Sequence, residues 1–219
     1  GNNYTVTFTP VYTGVITTGD HLTVTGITAS NKVYDGGTTA TINASAAALV
    51  GVRSGDDVSL VTSGASGAFS DKHAGNDKTV SISGLTLSGD DADNYSLTQP
   101  TTTADITTKG VTVTGSIAEN KAYDGTTAAT MDFSGASIVG AIGGDEVNLD
   151  TTSATGAFSS KDIGSGKLVT VGGIALDGDD EGNYSLTQPT TTANVTATGM
   201  AVTGITAANK TYDGATGAT

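Results

Sequence analysis

There is no cysteine in the chain, so neither a disulfide framework nor a thiolate metal site is available, and stability has to come from packing or from bound ions. Tryptophan is absent as well, and long helix-forming stretches are missing. Positive charge is scarce: 9 Lys and Arg stand against 22 Asp and Glu, a formal net charge of -13. That balance leaves no basic patch to neutralise phosphates or to lie on an anionic membrane, which removes nucleic acid from the expected partners. No run approaches the roughly 20 apolar residues of a membrane span.

What the chain has in abundance is Thr and Gly, 41 and 31 of its 219 residues, a composition of strands joined by tight turns. It also repeats itself. NKVYDG at 31–36 returns as NKAYDG at 120–125 and NKTYDG at 209–214, with 89 residues from each Tyr to the next. The same offset aligns Gly55-Asp56-Asp57-Val58 with Gly144-Asp145-Glu146-Val147, and Gly67-Ala68-Phe69-Ser70 with Gly156-Ala157-Phe158-Ser159. NYSLTQPTTTA at 94–104 recurs letter for letter at 183–193. These matches predict one module over 20–108 and a second over 109–197. They are preceded by the end of another module at 1–19 and followed by the start of a truncated one at 198–219. The opening GNNYT and the closing ATGAT predict a parent protein that continues in both directions.

Apolar residues alternate within each module, as in Leu22/Val24, Val80/Ile82 and Val169/Val171, the period of half-buried strands. Six or more short strands per module predict an all-β fold, a tandem of Ig-like Greek-key β-sandwich modules with an 89-residue period. Ala46 to Val52 and its partner Ala136 to Ile142 break the alternation, and leave open a β-grasp-like module with a short helix.

The recurring motifs read first as framework. In NKxYDG (Asn31, Lys32, Tyr34, Asp35, Gly36 and Asn120, Lys121, Tyr123, Asp124, Gly125) the Asp-Gly pair is a turn signal. Its Tyr is expected to lay the ring over the core with the hydroxyl at the rim. DDADNY at 90–95 and DDEGNY at 179–184 place an acid four residues before Tyr95 and Tyr184. That arrangement is similar to a tyrosine corner, so both rings are expected to be buried. The acidic loops make Asp90, Asp91, Asp179 and Asp180 candidate ligands for calcium, the only cofactor the sequence suggests, against a solvated acidic turn. Lys32 and Lys121 early in each module, with Asn94 and Asn183 late, raise the question of an isopeptide bond. Catalysis has no support: His21 and His73 are not repeated, and no GxSxG, HExxH or phosphate-cradling loop is present.

Taken together, NKxYDG, the GDxV turn, the GAF segment and the closing NYSL resemble the YDG repeats of very large bacterial surface adhesins, including filamentous-haemagglutinin-like proteins. The resemblance covers essentially the whole chain. It implies an extracellular or cell-surface location and neighbouring repeats of the same chain as the immediate partners. The implied role is a non-catalytic stalk that projects a head, with host, matrix or cell-surface ligands met through other domains. The alternative is that the repeats themselves bind glycan, matrix or neighbouring cells by weak contacts multiplied across copies.

Overall fold

A computed structural model describes residues 19–217 of the chain. Apart from Gly19, the expected end of a preceding module at 1–19, with Tyr4, lies outside the described residues. The described chain is all-β, and its only helical turns are two three-residue 3-10 segments, Ala92–Asn94 and Glu181–Asn183. None of the described helices is long and apolar enough to cross a membrane.

Alternation decides which side of each strand is buried. In His21–Thr25, Leu22 and Val24 are buried between exposed neighbours. In Gly75–Ser83, Val80 and Ile82 face inward while Thr79 and Ser81 face solvent. Removing a side chain such as Val80, which is 0% exposed, from water is worth about 1.5–3 kcal/mol.

The first repeat builds a five-stranded sheet in the order Lys32–Val33, Thr101–Thr107, Gly75–Ser83, Ser66–Phe69, Thr39–Ala40. The second builds the same order from Lys121–Ala122, Thr190–Thr196, Gly164–Gly172, Thr155–Phe158 and Ala128–Ala129. Each of these sheets is nearly closed and barrel-like.

Two ladders in the first repeat are parallel: His21–Thr25 with Ser96–Leu97, and Lys32–Val33 with Thr101–Thr107. A parallel pair needs a long connection, and here the connection is most of the repeat, so its first strands lie beside its last. The expected Ig-like Greek-key sandwich is not shown by these sheets; what is shown is an all-β tandem of repeats, each with a nearly closed five-stranded sheet. The alternative, a grasp-like module with a helix near Ala46 to Val52, differs from the structure. That stretch holds the strand Ala48–Val50, antiparallel to His21–Thr25. It is pinned between a turn closed by the Ala47 N–H on the Ala44 carbonyl and Gly51 at φ 105°, which leaves no room to nucleate a helix.

The chain forms two compact units. The first runs to Gly110 and also takes in Ala141–Glu146 and Asp179–Ser185 from the second repeat; the other holds Val111–Gly140, Val147–Gly178 and the residues from Leu186 onward. In the second unit Ala118, Phe158, Val169, Ala193 and Val195 form one core cluster, and Val113, Val171 and Ile174 another. Residues 198–217 carry no strand and are exposed.

Candidate docking site at Asp145

The NKxYDG corner is held by its own residues. The Lys32 ammonium donates to Asp35 Oδ1 at 2.6 Å and to the carbonyls of Gly37 and Thr39, while Asp35 Oδ1 also accepts the Gly37 N–H at 2.9 Å. Asn31 exchanges two hydrogen bonds with Asp105 on the last strand of the repeat. The second copy does the same. Lys121 donates to Asp124 and to the Thr126 and Ala128 carbonyls, and Asn120 accepts the Asn194 N–H. The lysine beside Asp124 holds that carboxyl down at about 2, and Lys32 likewise depresses Asp35.

The same lysines lie 5.6 Å from the ring centres of Phe69 and Phe158, so NKxYDG and the GAF segment are two halves of one contact. Lys32 therefore has Asp35, Gly37 and Thr39 as partners, and Asn94 is not among them, contrary to an isopeptide arrangement.

Gly36 and Gly125 both sit at φ 79°, a conformation that costs an L-residue roughly 1–2 kcal/mol. A Cβ on Gly125 would meet nothing within 4 Å. Gly125→Ala should therefore lower stability by about that strain alone, measured by denaturant titration; an unchanged midpoint would mean that the turn relaxes.

The second corner is also duplicated. The Tyr95 hydroxyl donates to Asp56 and accepts the Arg53 N–H, and the Tyr184 hydroxyl donates to Asp145 and accepts the Ile142 N–H. Each hydroxyl thus ties two loops together. Its carboxylate partner is the Asp of the GDxV turn and not the acid four residues upstream. Those acids, Asp91 and Asp180, accept the Asp57 and Glu146 N–H groups. Among the described residues, Asp90, Asp91, Asp179 and Asp180 included, no group of three or more acids or histidines is placed to hold a metal.

Where the copies differ is in what surrounds them. Within the first unit, Tyr34 is 1% exposed and its hydroxyl donates to Asp145 Oδ2 at 2.8 Å, not to solvent at a rim. Its ring meets the Tyr184 ring edge-on at 5.5 Å. Lys72 reaches Asp145 Oδ1 at 3.3 Å and Asp180 Oδ1 at 3.2 Å. Asn183, 3% exposed, accepts the Ala74 N–H at 2.9 Å and lies 3.3 Å from His73 Nδ1.

Asp145 is thus a buried carboxylate with two phenols and an ammonium around it. Burial opposes its charge, but Tyr184, Tyr34 and Lys72 together outweigh burial and hold its carboxyl below the usual range. Burial and the same carboxylate push the Tyr184 phenol up to about 12 and raise Tyr34 too. Asp180, then the Tyr34 hydroxyl, raises Lys72, so the ammonium keeps its charge.

The first copy of this corner is open. Asp56 and Tyr95 are half-buried and Asn94 is exposed, beside a hollow of ≈ 320 Å³ that Asp20 and Arg53 also line. The sequence motifs mark Tyr34 and Asp180, give Asp145 only as an aligned position of the repeat and do not single out Lys72. The signal for Asp145 was available: an Asp 39 residues before each corner Tyr, kept in both copies.

The model of the YDG domain matches residues 17–104 and again 107–193. No curated protein matches the chain, and no solved structure does.

Proposed function

The chain belongs to the YDG domain family, and we propose that its repeats are non-catalytic spacer modules of a bacterial cell-surface adhesin, setting a binding head away from the cell. The observation that carries this reading is the carboxylate of Asp145. It gathers Tyr34 and Lys72 from the first repeat and Tyr184 from the second into one compact unit. A repeat whose end is shaped to hold the next is suited to adding length by copy number. The excess of acid suits a crowded surface array, because like charge keeps neighbouring chains apart in solution.

Small-angle scattering of the full chain, with calcium and then with chelator, tests the reading. One elongated profile is expected in both solutions, because Asp91 and Asp180 already accept peptide N–H groups and Asp180 also pairs with Lys72. A compact profile would overturn the spacer. Retention on glycan or matrix surfaces that rises with repeat number would move the work from a distant head to the repeats themselves.

A further inference from the structure

We infer that the face formed by Asp56, Asp91, Asn94 and Tyr95 is a docking surface for the Tyr-and-Lys corner of a further YDG repeat, such as that of a second copy of this chain. The inference rests on the Asp145 contact and stands whether or not the repeats act as a spacer.

The argument is a comparison of four surfaces at the 89-residue offset. Asp145, Asp180, Asn183 and Tyr184 receive Tyr34 and Lys72, and the buried state of both sides follows: Asn183 is 3%, Tyr184 6% and Tyr34 1% exposed. Their copies present the same groups with nothing from the described residues upon them. Asn94 is exposed and Tyr95 half-buried, while Tyr123 is 39% exposed and Lys161 is exposed, with no ion pair among the described residues.

The receiving loops are already shaped. Tyr95 holds Asp56 and the Arg53 N–H, and Asp91 holds the Asp57 N–H, bond for bond as in the occupied copy. Two carboxylates on the receiving face meet the Lys161 ammonium on the other, as Asp145 and Asp180 meet Lys72. The copies differ at two of these positions: Arg53, paired with Asp20, stands where the occupied copy has Ile142, whose side chain faces Gly36, and Asp162 stands where the donating corner has His73 beside Asn183. An arriving corner therefore sets its glycine, Gly125 in this chain, against Arg53.

The two faces are unlike each other and lie on different repeats, so the contact is heterologous and joins copies head to tail. A contact that a short link maintains within a chain need only be weak between free molecules, with an affinity of the order of mM.

The test is sedimentation equilibrium of the full chain from about 10 µM to about 1 mM, the range in which a linked contact of this kind becomes visible. Reversible self-association is expected toward the upper end. Lys161→Glu, or Asn94→Lys, should each weaken it about tenfold by opposing like charges across the contact. Both positions are exposed, so thermal midpoints should not move. The double variant restores an opposite pair and should recover the association. A chain that stays monomeric throughout, or association indifferent to both single changes, overturns the inference. Either result leaves the Tyr34–Asp145 contact standing, since that contact has its own test.

Discussion

Asp145→Ala is expected to destabilise the protein by roughly 3–5 kcal/mol, the cost of removing one partner from a buried, hydrogen-bonded charge cluster. The side chain is 6% exposed, and its loss strands three donors at once: the hydroxyls of the buried Tyr34 and Tyr184, and the Lys72 ammonium. Lys72 is the least affected, since its side chain is 36% exposed and can turn to water or to Asp180. The two phenols cannot, because their rings are buried edge to face against each other. Each is left with an O–H donor that has lost its acceptor, at about 1–3 kcal/mol.

Asp56→Ala is the control. Asp56 has the same corner tyrosine but no second phenol and no lysine among the described residues, so its loss should be clearly milder. Guanidinium titrations of the two variants make the comparison. Equal losses would mean that the corner alone, without Tyr34 and Lys72, accounts for the stability at Asp145.

The reason Asp145 is hard to find in the sequence is the separation of its partners. Tyr184 is 39 positions away and belongs to the same repeat, so a constant spacing of Asp to Tyr in both copies carries the signal. Tyr34 is 111 positions away, a distance that no periodicity links to it. Only the structure shows that Tyr34 and Tyr123, identical in motif, differ from 1% to 39% exposure.

The strands were more accessible, because alternation acts on neighbouring residues: Val80 and Ile82, like Val169 and Val171, identify the buried side of the longest strands at once. Which strands pair was not accessible. Thr101–Thr107 lies between Gly75–Ser83 on one side and Lys32–Val33 on the other, and the second of these pairings joins residues more than seventy positions apart. Nothing in a local pattern distinguishes that parallel ladder from the antiparallel partner that a Greek-key sandwich would supply. Ala48–Val50 shows the complementary difficulty. An Ala-rich stretch has high helix propensity, but a turn at one end and a positive-φ glycine at the other leave it three residues, and pairing with His21–Thr25 decides.

The Asp145 cluster should also give the protein a stability plateau with a limit on each side. On the acid side, Asp145 has a lower carboxyl value in the folded chain than in the unfolded one, where an Asp titrates near 4. Its contribution is therefore complete above about pH 4 and is lost as the pH falls through the folded value. On the alkaline side the signs reverse. Tyr184 is raised to about 12 from an unfolded value of about 10, and Tyr34 is raised in the same direction. The stability held in the two neutral phenols is complete below about pH 10 and disappears as the pH rises toward about 12, when a phenolate would face the Asp145 carboxylate. Lys72 does not blunt either limb, since its own value is raised and it stays charged across the window.

Other carboxylates, Asp35 and Asp124 among them, add to the acid limb through their lysines, so the diagnostic quantity is a difference between proteins. The stability gap between the natural chain and Asp145→Asn should be widest between about pH 5 and about pH 9 and should narrow below about pH 4. Tyr184→Phe should in turn flatten the alkaline limb. A gap for Asp145→Asn that stays constant down to about pH 2 would mean that the carboxylate charge is not what holds Tyr34, Tyr184 and Lys72 together, and that shape alone seats them.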